Sequence, residues 1–258
     1  MTILDKIVAS CKERLAKKKR ERKEGSLHRS VDPPRPFYND TTGVTLIAEC
    51  KKGSPSRGVM SEEYDPVTIA SQYEHGGADA VSVLTEPEFF YGNEEHLTDV
   101  REAVSIPVLR KDFIFDTYQV KESWAIGADA ILLIAAILSK AQLNELIECA
   151  SELGLDILLE VHNRDELSRC LTARARGIGI NARNLKDFSV DIKAGKELCK
   201  DIPADKIAVA ESGIKAVNIL KEMYNAGFRG FLVGEHFITS VDRERAVKEF
   251  AQALREKE

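Results

Sequence analysis

The sequence predicts an α/β protein, specifically a (β/α)8 TIM barrel with an extra N-terminal helix. From residue 45 onwards, short β-prone apolar runs alternate with amphipathic runs, which is the pattern of βα units around a parallel sheet. The length of 258 residues agrees with the roughly 250 residues that such a barrel uses as one domain. A doubly wound sheet is the alternative, but Lys51-Lys52-Gly53-Ser54 stands where its glycine-rich phosphate loop would follow the first strand.

The first 44 residues predict a helical extension and a connector. Apolar residues at helical spacing in residues 1–24 predict an amphipathic helix, one face of which packs on the rest of the protein. The interspersed glutamates and the acidic total favour a solvated helix end for the basic run 17–23 over a nucleic-acid-binding arm. Residues 25–42 contain Pro33, Pro34 and Pro36 and predict a connecting segment.

The barrel itself is predicted over residues 45–258, within a single domain that spans residues 1–258. The predicted strands are 45–50, 80–84, 108–110, 130–134, 157–161, 178–181, 207–211 and 231–234. The predicted helices lie near 66–75, 95–103, 117–126, 140–153, 164–173, 192–200, 217–226 and 241–256. A repeated motif supports this division. Between a helix end and the next strand stand, in turn, Gly77-Ala78-Asp79, Gly127-Ala128-Asp129 and Gly227-Phe228-Arg229. A glycine at that place predicts a helix C-cap.

The composition excludes several classes of protein. A net charge of −5 argues against a nucleic-acid binder that relies on overall basicity. The five cysteines lie far apart without CxxC pairing, which fits neither a disulfide framework nor a zinc site and favours a reducing compartment. No apolar run approaches the roughly 18–20 residues that span a bilayer, and the N-terminus lacks the apolar core of a signal peptide. We therefore expect a cytoplasmic protein that binds neither membrane nor nucleic acid.

Charged residues stand at the carboxyl ends of several predicted strands, where the side chains of a barrel converge on one mouth. Glu49 and Lys51 alternate at the end of strand 1, so that both point to the same face. The other strand ends contribute the rest of a candidate site: Ser54 and Ser56, Lys111 and Asp112, Glu160, Asn181, Arg183 and Asn184, Glu211 and Ser212, and Glu235. Such convergence predicts an active site, whereas any one of these charges alone would indicate a solvated loop.

The loops after strands 7 and 8 predict a phosphate site. Ser212-Gly213 and Gly234-Glu235 are small residues that let backbone N–H groups approach an anion, at the usual phosphate position of this fold. Simple turn glycines are the alternative interpretation. Lys51 follows strand 1, which neighbours strand 8 in a closed barrel, and is expected to balance the phosphate charge.

The residue types predict acid–base chemistry without a metal. Lys51 and Lys111 should disfavour each other's charge while Glu49, Glu160 and Glu211 oppose that effect, so that a lysine can donate a proton and a glutamate accept one. Asp112 is expected to be a structural partner, and His162, two residues beyond Glu160, to lie behind the site, with a place on its rim as the alternative. The strand ends hold neither a Ser–His pair nor a His/Cys cluster, so we predict no catalytic triad, metal or cofactor.

These strand-end motifs resemble those of the indole-3-glycerol-phosphate synthase family. The resemblance covers residues 45 to about 240 and extends to the helix before the barrel. The motifs, in family order, are Ile47-Ala48-Glu49-Cys50-Lys51-Lys52-Gly53-Ser54-Pro55-Ser56; Ser82-Val83-Leu84-Thr85-Glu86 with Phe89-Phe90 and Gly92; Val108-Leu109-Arg110-Lys111-Asp112-Phe113-Ile114; Leu159-Glu160-Val161-His162; Gly179-Ile180-Asn181-Ala182-Arg183-Asn184-Leu185; Glu211-Ser212-Gly213-Ile214; and Val233-Gly234-Glu235.

The resemblance implies ring closure of 1-(2-carboxyphenylamino)-1-deoxyribulose 5-phosphate to indole-3-glycerol phosphate, with loss of carbon dioxide and water. It implies that Lys111 is the general acid at the substrate carbonyl and that Glu160 stabilises cationic charge and takes part in the dehydration. It further implies supporting roles for the remaining residues: Lys51 and Glu49 in binding and dehydration; Asn181, Glu211 and Ser212 at the ribulose hydroxyls and the lysines; Ser54, Gly213 and Gly234 at the phosphate, beside Ser56 and Glu235; and Pro55, Phe90, Leu132 and Arg183 around the anthranilate ring and its carboxylate.

Some residues depart from the family pattern. Ala182, Gly53 and His236 stand where other residue types are common, and the entry to strand 6 lacks Gly-Ala-Asp, which bears on substrate affinity more than on the reaction.

Two rival functions are considered for the same fold. A sister phosphoribosylanthranilate isomerase-type barrel would need a cysteine or aspartate facing the site, whereas Cys50 should point into the barrel wall. A catalytically silent phosphate-binding barrel would be expected to have lost Lys111 or Glu160. We expect a monomer, and docking of an enzyme of the same pathway stays open.

Overall fold

The computed structural model describes residues 2–61, 63–184 and 189–256. Eight parallel strands close a barrel in sequence order: β1 Thr45–Cys50, β2 Ala80–Leu84, β3 Val108–Lys111, β4 Ala130–Ile134, β5 Asp156–Val161, β6 Gly177–Asn181, β7 Ile207–Glu211 and β8 Gly230–Val233. β1 pairs with β2 on one side and with β8 on the other, which closes the ring. The predicted (β/α)8 barrel is confirmed, and Leu185, at the end of the strand 6 motif, lies outside the described residues.

The helices follow the predicted order with small shifts at their ends. They are α1 Ile3–Glu21, α2 Pro66–His75, α3 Glu94–Ala103, α4 Thr117–Ala125, α5 Lys140–Glu152, α6 Arg164–Cys170, α7 Ile192–Cys199, α8 Val217–Asn225, α9 Glu235–Ile238 and α10 Arg243–Arg255. The last helix begins at Arg243 because the Asp242 side chain accepts a hydrogen bond from the Arg245 N–H and caps it. The one-turn helix α9 was not predicted, and Gly234, expected in strand 8, is its N-cap residue.

The repeated glycine motif has a structural cause at the floor of the barrel, which is the end where the strands begin. Gly77, Gly127 and Gly227 have φ angles of 92°, 103° and 107°, so each ends its helix in the left-handed conformation that favours glycine. Asp79 Oδ2 accepts a hydrogen bond from the Leu46 N–H, and Asp129 Oδ2 accepts one from the Val108 N–H, both at 2.8 Å. Each aspartate thus ties the entry of its own strand to the preceding strand.

Two buried layers flank the strands, and the connector fills the floor. Outward-facing strand residues pack against the helices, while Ile47, Leu109 and other inward-facing residues share a second cluster with Phe37 and Tyr38. Both aromatic residues are almost fully buried. The Tyr38 hydroxyl donates to the Ile157 carbonyl oxygen at 2.8 Å, at the start of β5. The connector therefore closes the end of the barrel that lies opposite the candidate site.

Helix α1 is held across β2 and β3 by ion pairs. Arg14 Nη2 lies 2.6 Å from Glu86 Oε1, and Glu86 is fully buried. From the basic run, Lys18 Nζ lies 2.9 Å from Glu122 Oε1 and Lys19 Nζ lies 2.6 Å from Asp116 Oδ2. The predicted solvated helix end is confirmed for Lys17 and residues 19–23, which are exposed, whereas Lys18 is half-buried against acidic side chains. Among the described residues, no helix is both long enough and apolar enough to cross a membrane.

Candidate active site

A cavity opens at the carboxyl ends of the strands and collects nearly all of the predicted site residues. The residues that line it include Glu49, Lys51, Ser54, Pro55, Ser56, Phe90, Lys111, Leu132, Glu160, Asn181, Arg183, Ser212, Gly213, Gly234 and Glu235. Two residues of the predicted set, Glu211 and Asn184, are not among the lining residues, and Glu211 lies 1% exposed behind Lys111. Asp112 also lines the cavity, but it accepts hydrogen bonds from Thr85 and from its neighbour's backbone N–H, as a structural partner would.

Lys111 is the centre of the charged part of this cavity. Its Nζ lies 3.1 Å from Glu49 Oε1 and 3.1 Å from Glu211 Oε2, so one ammonium joins carboxylates from β1 and β7. Lys51 donates to the other oxygen of Glu49. The register explains the convergence, since Glu49, Lys111, Glu160 and Glu211 all stand at the carboxyl ends of strands that pair around one ring.

The carboxylates decide the charge state of the lysine. Burial alone would lower the pKa of Lys111, but Glu49, Glu211 and Glu160 raise it above its ordinary value. Burial would likewise raise the pKa of Glu49, but Lys111 and Lys51 outweigh that cost and lower it to about 2. Of the two opposing effects expected for the lysines, attraction to glutamates therefore prevails at Lys111. It carries its proton at neutral pH, as a general acid must.

Glu160 and Glu211 form a second unit, in which two buried carboxyl groups lie close enough to affect each other's ionisation. Burial and the negative charge of Glu160 raise the pKa of Glu211 to about 8, despite the opposing effect of Lys111. Burial also works against ionised Glu160, but the neighbouring His162 and the charge of Lys111 lower its pKa to about 2. These opposite directions favour the negative charge on Glu160 and the proton on Glu211.

The loops after β6, β7 and β8 form the other half of the rim. Ser212 has a φ of 66°, in the left-handed region that a residue with a side chain rarely adopts, and its hydroxyl donates to Asn181 Oδ1 at 2.9 Å. Asn181 Oδ1 also accepts the Arg183 N–H at 3.1 Å, so one amide ties two loops together. Gly213 has a φ of 81° and shares the turn. This arrangement orients polar groups toward the cavity at the predicted phosphate position.

A two-stranded hairpin after β1, with strands Gly53–Ser54 and Gly58–Val59, reaches over the cavity. Arg57 Nη2 lies 2.5 Å from Glu235 Oε1, which connects the hairpin tip to α9 after the neighbouring strand β8. Arg183 Nη2 lies 3.5 Å from the other oxygen of Glu235. The carboxylate of Glu235 therefore faces two arginines, so any contact of this loop with a phosphate would have to come from its backbone.

Several cavity residues were not predicted. Ile3, Leu4 and Ile7 of α1 line the apolar side, together with Phe113 and Met60. The amphipathic pattern of α1 signalled a buried face, but it did not identify what that face covers. Gly179 in β6 was quoted without a role, and a Cβ atom there would lie 2.1 Å from Glu211 Oε1. Glycine at that position leaves the space that the Glu211 carboxyl occupies.

The burial of Cys50 follows from its position in β1. Cys50 is fully buried in the layer between strands and helices, so it points into the barrel wall as predicted. Burial also raises the pKa of its thiol.

In residues 2–61, 63–184 and 189–256, no group of three or more His, Cys, Asp or Glu side chains is arranged to hold a metal ion.

Comparison with known proteins identifies the family. The family model of indole-3-glycerol phosphate synthase matches residues 4–250. An indole-3-glycerol phosphate synthase of Campylobacter jejuni is 44% identical over 95% of this chain and 98% of its own, and one of Chlorobium luteolum is 47% identical over 93% and 94%. Among solved structures, thiamine phosphate pyrophosphorylase from Pyrococcus furiosus has a TM-score of 0.62 at 18% identity, over 84% of this chain and 98% of its own, a likeness of fold alone. The chain belongs to the indole-3-glycerol phosphate synthase family.

Proposed function

We propose that this protein is a carbon–carbon carboxy-lyase that closes the ring of 1-(2-carboxyphenylamino)-1-deoxyribulose 5-phosphate and releases carbon dioxide and water. The family to which the chain belongs supports this activity. The single observation that carries the residue assignment is Lys111, whose Nζ lies 3.1 Å from carboxylates of both Glu49 and Glu211 at the base of a half-apolar cavity. A charged acid beside an apolar wall suits a substrate that combines an aromatic ring with a sugar phosphate.

Lys111 acts in the ring-closing step. The aromatic carbon that bears the carboxylate attacks the ribulose carbonyl carbon, and Lys111 gives its proton to the carbonyl oxygen as the new carbon–carbon bond forms. The carboxylate then leaves as carbon dioxide, and its bonding electrons return to the ring. Glu49 and Glu211 hold the ammonium in place from two strands. In the dehydration that follows, the new hydroxyl leaves as water with a proton from Lys51, whose ammonium donates a hydrogen bond to the ionised Glu49.

Glu160 stabilises the positive charge that develops on the substrate during the reaction. Ring attack leaves cationic character on the aniline nitrogen, and an ionised carboxylate in a buried site stabilises it. The same carboxylate is suited to remove the methylene proton whose loss completes the indole ring. The low pKa of Glu160, held at about 2 by His162 and Lys111 against the effect of burial, keeps it ionised for both tasks.

The remaining residues bind the two ends of the substrate. We assign the phosphate to the backbone around Gly213 and Gly234 with the hydroxyls of Ser54 and Ser56, and the ribulose hydroxyls to Asn181 and Ser212. The anthranilate ring is assigned to Phe90, Leu132 and Pro55 with the side chains of α1, and its carboxylate to Arg183. Glu235 is assigned to holding Arg57 and Arg183.

The test is indole fluorescence on mixing purified protein with the proposed substrate. Wild-type protein should form the indole product, and Lys111→Ala and Glu160→Gln should each lower kcat by about 10²–10⁴-fold, because a general acid or base is removed. Lys200→Ala is the matched lysine control, since its Nζ pairs with Glu197 on an exposed helix face, and it should keep wild-type activity. A wild-type protein that binds the substrate but forms no indole product would favour the silent phosphate-binding barrel instead.

We further propose that the protein works as a cytoplasmic monomer. All five cysteines are free and buried, which suits a reducing compartment. Light scattering of the purified protein checks the monomer, and a mass of twice 28.7 kDa would contradict it.

A further inference from the structure

His162 stands directly after β5 and is held between two carboxylates. Its Nε2 lies 3.2 Å from Glu160 Oε1, and its Nδ1 lies 3.2 Å from Glu166 Oε2 in the first turn of α6. Glu166 Oε2 also accepts the His162 backbone N–H at 2.8 Å, and Asn163 Nδ2 donates to the other oxygen at 2.7 Å. The helix therefore fixes the orientation of the imidazole, and its second nitrogen lies at ion-pair distance from Glu160.

His162 does not belong to the lining of the cavity, so it can influence the reaction only through Glu160. The charged groups around Glu160 are Lys111 from β3, Glu211 from β7 and His162 itself, while Glu166 of α6 faces His162. Two buried carboxyl groups that lie next to each other cannot both ionise readily, and one of them keeps a proton. Lys111 touches Glu211 directly, so the lysine alone would favour ionisation of Glu211.

We propose that His162 is a positioning residue that fixes the division of charge between Glu160 and Glu211, so that Glu160 is the ionised base and Glu211 carries the proton. The imidazolium contacts only Glu160 of the two carboxyls, and Glu166 keeps the imidazole charged and aimed. His162 thus acts against the bias that Lys111 places on Glu211. This inference rests on the proposed function for the role of Glu160 in catalysis, but the charge division itself does not depend on the substrate.

The kinetic test compares wild type with His162→Gln, which keeps a polar side chain and removes the charge. We expect a KM within about twofold of wild type, because the side chain lies outside the cavity, and a kcat that falls at least about tenfold at pH 6. The acidic limb of the kcat profile should move up by one pH unit or more, with partial recovery at pH 8.5. An unchanged kcat profile with a raised KM would overturn the proposal.

Ser139→Ala controls for loss of stability alone. It removes the N-cap of α5, where the Ser139 hydroxyl accepts the Gln142 N–H, and leaves the site untouched. Its pH profile should match that of wild type even though its unfolding midpoint falls. Glu166→Gln removes the orienting charge while keeping the imidazole, and it should shift the acidic limb in the same direction as His162→Gln.

A second measurement needs no substrate and no His162 variant. Side-chain NMR of isotope-labelled imidazoles should show one of the five histidines still charged at pH 8, since burial is outweighed by Glu160 and Glu166, which raise the pKa of His162 to about 10. In Glu160→Gln this signal should titrate at lower pH. Five imidazoles that all lose their protons below pH 8 would overturn the charge division. Absence of product from wild type would instead overturn the proposed function and leave this result standing.

Discussion

At the scale of single residues, two glycines provide the room in which the carboxyl groups work. A Cβ on Gly179 would lie 2.1 Å from Glu211 Oε1, and a Cβ on Gly234 would lie 2.1 Å from Glu49 Oε2. Neither distance is possible without displacing the carboxyl group. Gly234 was predicted at the phosphate and Gly179 had no predicted role, because a missing side chain carries no chemical signal of its own.

Gly179→Ala tests whether the position of Glu211 matters. The added methyl group should push the Glu211 carboxyl away from Lys111 and lower kcat by roughly 10²-fold, the size expected for a small misplacement at a reacting centre. The free energy of unfolding should fall by about 1–3 kcal/mol through overpacking. Indole fluorescence and urea unfolding measure the two effects.

Gly195→Ala in α7 is the matched control. Its added Cβ would lie 3.6 Å from Ile180 Cγ2 and 3.8 Å from Ala182 Cβ, which are ordinary contacts. Alanine in a helix interior should raise the free energy of unfolding by about 0.5–1 kcal/mol and leave kcat unchanged. Wild-type kcat in Gly179→Ala would mean that chemistry does not depend on where Glu211 lies.

The departures from the family pattern have local causes in the structure. A Cβ on Gly53 would lie 2.5 Å from the Gly58 carbonyl oxygen and 2.7 Å from the Tyr91 ring, so the hairpin requires glycine there. His236 stacks on Phe250 with ring centroids 5.0 Å apart. At the entry to strand 6, Arg176 pairs with Asp40 in place of the missing aspartate. These contacts join distant parts of the chain, which is why the sequence alone did not explain them.

At the scale of elements, α1 stabilises the loop that carries Phe90 into the cavity. Glu86 accepts the backbone N–H groups of Phe89 and Phe90 at 2.7 and 3.2 Å and is paired from outside by Arg14. A buried carboxylate therefore organises the loop after β2, and the helix before the barrel supplies its counter-ion.

Arg14→Ala should leave Glu86 buried without its cationic partner. We expect the free energy of unfolding to fall by roughly 1–3 kcal/mol. The KM for the substrate should rise, because Phe90 is held less firmly against the ring. Urea unfolding and steady-state kinetics measure both effects.

Lys17→Ala on the same helix is the comparison for Arg14→Ala. Its Nζ lies 3.8 Å from Glu21, and the side chain is 72% exposed, so the change should stay within about 0.5 kcal/mol. Equal, small effects of the two substitutions would show that the Arg14–Glu86 pair contributes no stability.

The sequence predicted long elements well and very short ones poorly. The eight strands were placed to within about a residue because buried β-branched runs end at charged residues. The hairpin after β1 and the one-turn helix α9 were missed, since two to four residues show no periodicity. An amphipathic helix such as α1 signals a buried face without naming its partner, so its contribution to the cavity was not predictable.

At the scale of the whole molecule, the buried charges of the site make stability depend on pH. Lys111 and Lys51, working against burial, lower the pKa of Glu49 to about 2 in the folded protein. A carboxyl group with a lowered pKa stabilises the fold above its unfolded pKa of about 4.3, and this stabilisation is lost as the pH falls towards 2. For Glu49 it amounts to something on the order of 3 kcal/mol.

Glu49→Gln should therefore be less stable than wild type at pH 7 and equally stable near pH 2. Urea unfolding at several pH values measures the difference, which should begin to close below about pH 4.5. A constant difference between the two proteins at all pH values would contradict the ionised, ion-paired state of Glu49.

The closed barrel explains why residues far apart in sequence could be assigned to one site. Parallel strands of a barrel deliver their carboxyl ends to one mouth, so the strand pattern alone brought Glu49, Lys111 and Glu160 together. Which of the carboxyls keeps a proton was not predictable, because it depends on the separation of Glu160, Glu211 and His162 by single ångströms. The strand pattern determines that these residues meet at one mouth, whereas their packing determines which carboxyl group keeps a proton.

Because the connector fills its floor, the barrel opens to solvent at the mouth. Phe37 and Tyr38 occupy the end opposite the site, so within the described chain the carboxyl groups meet solvent at the mouth. A substrate bound across that mouth covers Lys111, Glu49 and Glu160 together and isolates the protons they hold. We expect the proton transfers of each turnover to stay within this covered group of residues, and exchange with solvent to follow product release.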